Sequence, residues 1–222
     1  MKIFHHQTCT RNSKTPILLM LFSLLLSTSS ASYSAIISDL YITEIMANPS
    51  AVSDSNGEWF ELYNPGNDIF DLNGSSLSDN GSNYHLINSS LPLLINPGEY
   101  FVFGKNGNTL ENGGYNADYV YSNFTLANTA DEIILTDPLG NILALEYQAG
   151  FVPNGHSLEL IAPDMQTANY INTVNNSYGL GDFGTPGSEG THSFQVAAVP
   201  EPPILLLFLS GIAGLIYRQT RE

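Results

Sequence analysis

GEWFELYNPG, residues Gly57 to Gly66, reads as a strand with its own stop signal. Side chains alternate along a strand with period two, so Trp59, Glu61 and Tyr63 share one side while Glu58, Phe60 and Leu62 share the other. Both sides carry large apolar groups, as in a central strand covered on two faces. That places the chain's only tryptophan in or beside the core. Asn64, Pro65 and Gly66 end the strand, because proline lacks a ladder donor and glycine permits a turn.

Similar short runs recur on either side of this stretch, broken by Asn, Gly, Pro, Asp and Ser. They are Leu40 to Met46, Tyr84 to Ile87, Tyr100 to Phe103, Asp118 to Tyr121, Glu132 to Thr136, Ile142 to Tyr147 and Ser157 to Ile161. No long stretch has a helical apolar period, and no internal repeat is visible. The clearest hairpin is EIILTDPLGNILALEY, in which Pro138 presets a turn φ and Gly140 accepts a positive one. These runs predict an all-β sandwich.

Spaced landmarks carry a resemblance. ITEIMANP (Ile42 to Pro49), GEWFELYNPGNDIFDLNGSSLSD (Gly57 to Asp79), INPGEYFVF (Ile95 to Phe103), NGHSLEL (Asn154 to Leu160) and GDFGTPG (Gly181 to Gly187) stand in the order found in the lamin tail domain. The resemblance implies an immunoglobulin-like β-sandwich over residues 38–187. Leu160 stands where that family commonly has arginine, so a salt bridge from that position is absent or replaced.

Both ends look like targeting segments. Lys2, Arg11 and Lys14 precede the apolar core Pro16 to Leu26, and small residues follow, which predicts a signal peptide over 1–31 with a signal helix and cleavage at Ala31. Cys9, the only cysteine, lies ahead of that core, so the mature chain would contain no thiol, disulfide or thiolate metal site. At the other end, Val199, Pro200, Glu201 and Pro202 precede an apolar run and then Arg218 and Arg221. The run 204–217 has 14 residues, about 21 Å of helix against a hydrocarbon core of roughly 30 Å. The arginines would hold that end of the transmembrane-like helix in the cytoplasm. The arrangement resembles the PEP-CTERM sorting signal, here 199–222. That resemblance implies recognition at the inner membrane by an exosortase, a membrane-embedded protease-transpeptidase, and delivery to the cell surface or extracellular matrix. Residues 188–198 read as a flexible linker before the signal.

Between the signals the charge is one-sided. From Ser32 to Pro202 the sole Lys or Arg is Lys105 against 20 acids, a formal charge of −19. A phosphate backbone binds through Lys and Arg, so nucleic acid is excluded as a partner. Neutral sugars, basic surfaces and divalent cations remain.

Catalytic signals are weak. Glu58 and Glu61 point to opposite sides of their strand, although Glu44 approaches Glu61 if their strands pair. His85 and His156 read as surface or turn histidines without ligand spacing. Gly155, His156 and Ser157 do not complete a nucleophile elbow, because Glu159 replaces its second glycine. For calcium the candidate oxygens are Asp54, Asn56 and Glu58, but Trp59 and Pro65 stand where an EF-hand needs Gly and Glu, and Asn56 and Gly57 suit an ordinary turn. The expectation is therefore a non-enzymatic, secreted surface module that binds carbohydrate or protein, with no catalytic residue and no cofactor. Its rivals are an envelope or exopolysaccharide hydrolase using Glu44, Glu58 and Glu61, and an acidic, calcium-dependent matrix protein.

Overall fold

A computed structural model describes residues 35–192. The expected signal peptide with Ala31, the sorting box Val199 to Pro202, the apolar run 204–217 and Arg218 and Arg221 lie outside those residues. Among the described residues, no helix is long and apolar enough to cross a membrane.

The chain forms β1 (Tyr41–Met46), β2 (Trp59–Tyr63), β3 (Phe70–Asp71), β4 (Ser76–Ser78), β5 (Tyr84–Leu86), β6 (Leu94–Ile95) and β7 (Tyr100–Gly104). It continues with β8 (Tyr119–Val120), β9 (Asp131–Thr136), β10 (Ile142–Tyr147), β11 (Leu158–Leu160), β12 (Tyr170–Asn172), β13 (Ser177–Tyr178) and β14 (Asp182–Phe183). One sheet runs β12-β11-β1-β2-β7-β8 and a second runs β10-β9-β4-β5, while β13-β14 and β3-β6 form two-stranded ribbons. All neighbours are antiparallel except β7 and β8.

The two main sheets share one apolar core. The larger contributes Ile42, Ile45, Phe60, Leu62, Phe101 and Phe103, and the smaller Leu77, Ile133, Leu135, Leu143 and Leu145. Strand β10 follows its pattern strictly: Leu143, Leu145 and Tyr147 are buried, whereas Ile142, Ala144 and Glu146 are exposed. Phe60 and Phe103 are register partners and stack at 4.7 Å. Ile42 and Ile45 both face this core although they stand three positions apart. Strict alternation would put them on opposite sides, and a register shift between Ile42 and Glu44 resolves the conflict. The hairpin turns as its residues dictate. Gly140 takes φ 88°, and Asp137 accepts hydrogen bonds from the backbone N–H groups of Leu139 and Asn141, each at 2.9 Å.

The tryptophan lies beside the main core rather than in it. Trp59 packs with Met46, Val102 and Tyr115 on the opposite side of the six-stranded sheet, where its indole N–H donates to the Tyr178 hydroxyl at 2.9 Å. The β13-β14 ribbon thus covers the outer side of β2.

Candidate functional site

Three glutamates stand abreast on that outer side. Register pairs Glu44 with Glu61 on one side and with Glu159 on the other. Neighbouring strands lie about 4.8 Å apart, so the side chains form a row across β11, β1 and β2. Their exposures are only 1%, 1% and 2% for Glu44, Glu61 and Glu159. Buried carboxyls need hydrogen-bond donors or opposite charge. The one Lys or Arg among the described residues, Lys105, donates instead to the Phe124 carbonyl and sits 5.4 Å from the Tyr121 ring centroid.

Local donors fill the gap. Glu44 accepts from Ser157 Oγ, from the Thr185 N–H at 2.9 Å and from Thr185 Oγ1 at 2.7 Å. Glu61 accepts from Thr43 Oγ1 at 2.7 Å and from the Gly187 N–H at 2.6 Å. Glu159 accepts from Thr191 Oγ1 at 2.7 Å and from the His192 N–H, and the His192 ring lies 3.6 Å away. The closing Thr-Pro-Gly turn and the five residues after it therefore form a strap over the row, so the described part of the expected linker rests on the sheet. Gly184 lies so close that an added Cβ would come within 3.0 Å of Glu44 Oε1 and Trp59 Cζ2. Burial pushes the Glu44 carboxyl above its ordinary value against the bonds from Ser157 and Thr185, with nearby Glu159 adding to the rise. Burial, reinforced by Glu44, pushes Glu61 well above its own.

The residues that sequence suggested for hydrolysis divide between two places. Glu44 and Glu61 do come together, joined by Glu159, which the sequence reading left out. Glu58 does not join them; it is buried elsewhere and accepts from the Leu126 N–H at 3.1 Å. Burial raises its pKa to about 7. All three carboxyls are sealed from a polymer substrate. Among the calcium candidates, Asp54 accepts from Asn128 Nδ2 at 2.8 Å and Asn56 Oδ1 from Asn106 Nδ2 at 3.2 Å, while Asp54–Gly57 form a single helical turn. Among the described residues, no group of three or more His, Cys, Asp or Glu side chains is placed to hold a metal. His85 and His156 are half-buried and engaged. His85 Nε2 lies 2.8 Å from the Tyr119 hydroxyl, and His156 stacks on Phe183 with ring centroids 4.6 Å apart.

An open cleft of about 460 Å³ lies on the other sheet. Ile134, Ala144, Leu145 and Met165 give it apolar lining, and Asn80, Glu132, Glu146, Gln148, Gln166 and Thr167 supply polar groups. Glu132 and Glu146 are register partners on β9 and β10.

The Lamin Tail Domain family matches residues 34–150. The chain belongs to the lamin tail domain family. No curated protein and no solved structure matches it. The lamin tail match takes in Glu44, Glu61 and the whole four-stranded sheet, and it ends before Glu159 and the strap. An immunoglobulin-like lamin tail sandwich agrees with the two packed sheets. Leu160 is 2% exposed in the main core, so at the position that resembles the family's arginine this chain has an apolar packing group.

Proposed function

We propose that this lamin tail protein is an exported, non-enzymatic module displayed at the cell surface or in the extracellular matrix, where it binds carbohydrate or another surface protein. The reading includes sorting: an exosortase at the inner membrane recognises Val199 to Pro202, the apolar run and the terminal arginines. The observation that carries the non-enzymatic part is the sealing of Glu44 and Glu61. Acid-base hydrolysis needs carboxyls within hydrogen-bond reach of a glycosidic or peptide bond, and these are occupied by Thr43, Ser157, Thr185 and Gly187. Membership of a family with a structural immunoglobulin-like domain supports the same reading, as does an acidic body whose cationic side chains lie almost entirely in the two terminal segments.

The experiment is an intact mass of the protein recovered from its native host. The mass expected lacks residues 1–31 and the segment beyond the Val199 to Pro202 box. A species that retains 204–222 would replace sorting by a plain anchor.

A further inference from the structure

The outer side of the four-stranded sheet is open along all four strands, with Ile142, Ala144, Tyr84 and Leu86 exposed and Ser76, Ser78, Ile134 and Thr136 half-buried. Register places Ile142, Thr136, Ser76 and Leu86 in one row across the strands. The next row is Ala144, Ile134, Ser78 and Tyr84. Each row crosses four strands, about 14 Å at the usual spacing. Neither contains a charged group, on a body of formal charge −19. Tyr84 and Leu86 are 57% and 51% exposed. A third row, Glu146 and Glu132, begins the cleft.

We propose that this face and its cleft bind a neutral polysaccharide lying across the strands. The proposal rests on the surface-module reading above and names its ligand class. Ser76, Ser78 and Thr136 can each donate and accept, which suits sugar hydroxyls, while the exposed Tyr84 ring offers an apolar platform for the C–H face of a pyranose. Asn80, Gln148 and Gln166 carry amides with both donor and acceptor groups at the cleft. Glu132 and Glu146 stand directly opposite each other, an arrangement that costs energy in a sheet, and no Lys or Arg lies beside them. Hydroxyl donors from a sugar would relieve that repulsion; an acidic polymer would worsen it. A protein partner fits less well, because the centre of the face is hydroxyl-bearing whereas interface cores are apolar and aromatic. The cleft volume falls within the range of small-ligand sites, about 300–1,000 Å³.

The test is native affinity electrophoresis of the processed full protein in gels containing dextran, galactomannan or mixed-linkage β-glucan, with alginate and hyaluronate as acidic probes. The variants are Tyr84→Ala, Gln166→Ala and Ala144→Arg, with Leu110→Ala as an exposed control away from the face. Retardation is expected in at least one neutral gel. Tyr84→Ala and Ala144→Arg should weaken it at least tenfold, with an unchanged urea midpoint and no effect of Leu110→Ala. Absence of retardation in all neutral gels overturns the proposal, and so does equal retention of the face variants or equal retardation by alginate. Capture of a protein that Ala144→Arg abolishes, without glycan retention, overturns it as well. Terminal processing is read separately by mass, so a correctly cleaved protein that binds no neutral glycan leaves the export reading standing while the ligand assignment falls.

Discussion

Glu44 stands directly opposite Glu61 on the neighbouring strand, each 1% exposed, and neither has a Lys or Arg partner. What holds them is hydrogen bonding from Thr185 and Gly187 of the strap and from Thr43 and Ser157, and the two positions should respond differently to substitution. Glu44 is surrounded by donors, so Glu44→Ala strands Ser157 and Thr185 and should cost about 3 kcal/mol or more. Burial, reinforced by Glu44, pushes Glu61 well above its ordinary value, and Glu61→Gln mimics its protonated form. That change should cost less than about 1 kcal/mol in urea denaturation. A loss above about 2 kcal/mol for Glu61→Gln would mean that Glu61 is held as a carboxylate in the folded protein.

The same groups set a pH dependence. Carboxyls raised in the folded state bind protons more tightly there than in the unfolded chain, so their contribution is present below the unfolded value and is lost as pH rises. Glu58, raised to about 7, loses its contribution between about 4.5 and 7, and Glu44 and Glu61 act in the same direction. Asp137 works oppositely. Burial opposes its ionisation, but bonds from Asn141, Ile37 and Leu139 hold its carboxyl below the ordinary value, so its contribution is lost as pH falls. Stability should therefore peak near pH 4, between the two windows, and fall by at least about 2 kcal/mol toward pH 8. Denaturant midpoints across that range check it, and Glu58→Gln should flatten the fall. A rise in stability from pH 5 to 8 would contradict the account.

Trp59 makes a third case. Its ring is fully buried against Tyr115 and Tyr178, so Trp59→Ala should cost about 3 to 5 kcal/mol. Tyr178→Phe removes only the partner of the indole N–H and should cost about 1 kcal/mol. Urea denaturation of both variants checks the order. A loss below 1 kcal/mol for Trp59→Ala would put that ring at the surface.

The strands with strong alternation are legible in the sequence. Ile142 to Tyr147 matches at both ends, and Glu132 to Thr136 lacks only Asp131. Phe70–Asp71, Leu94–Ile95, Ser177–Tyr178 and Asp182–Phe183 were not, because two residues carry no period. Ser76–Ser78 was hidden by its polar outer side chains. Glu44 and Glu61 were readable as a pair once β1 and β2 were taken as partners. Glu159 was not, since alternation alone sends it outward as a solvated group. Its burial comes from Gly190 to His192, more than thirty residues along the chain, and local pattern holds no trace of that strap. The SLE landmark was the available signal.

Calcium can be separated from screening. An acidic body repels itself, so any salt should raise its melting midpoint. Sodium chloride and magnesium at matched ionic strength should reproduce most of the effect of calcium. A cage at Asp54, Asn56 and Glu58 would favour calcium, which accepts irregular oxygen coordination. Thermal melts of the wild type and Asp54→Ala decide it: a calcium-only rise that disappears in the variant would make the site specific.

The most direct measurement of the central claim is a carboxyl ¹³C NMR titration of Glu44 and Glu61 in the folded protein. Sealed carboxyls without a Lys or Arg partner should both titrate above the ordinary glutamate value, Glu61 well above it. Two independent titrations near 4.5 would mean that the strap leaves the carboxyls in water, free to meet a substrate, and would contradict the structural role given to them here.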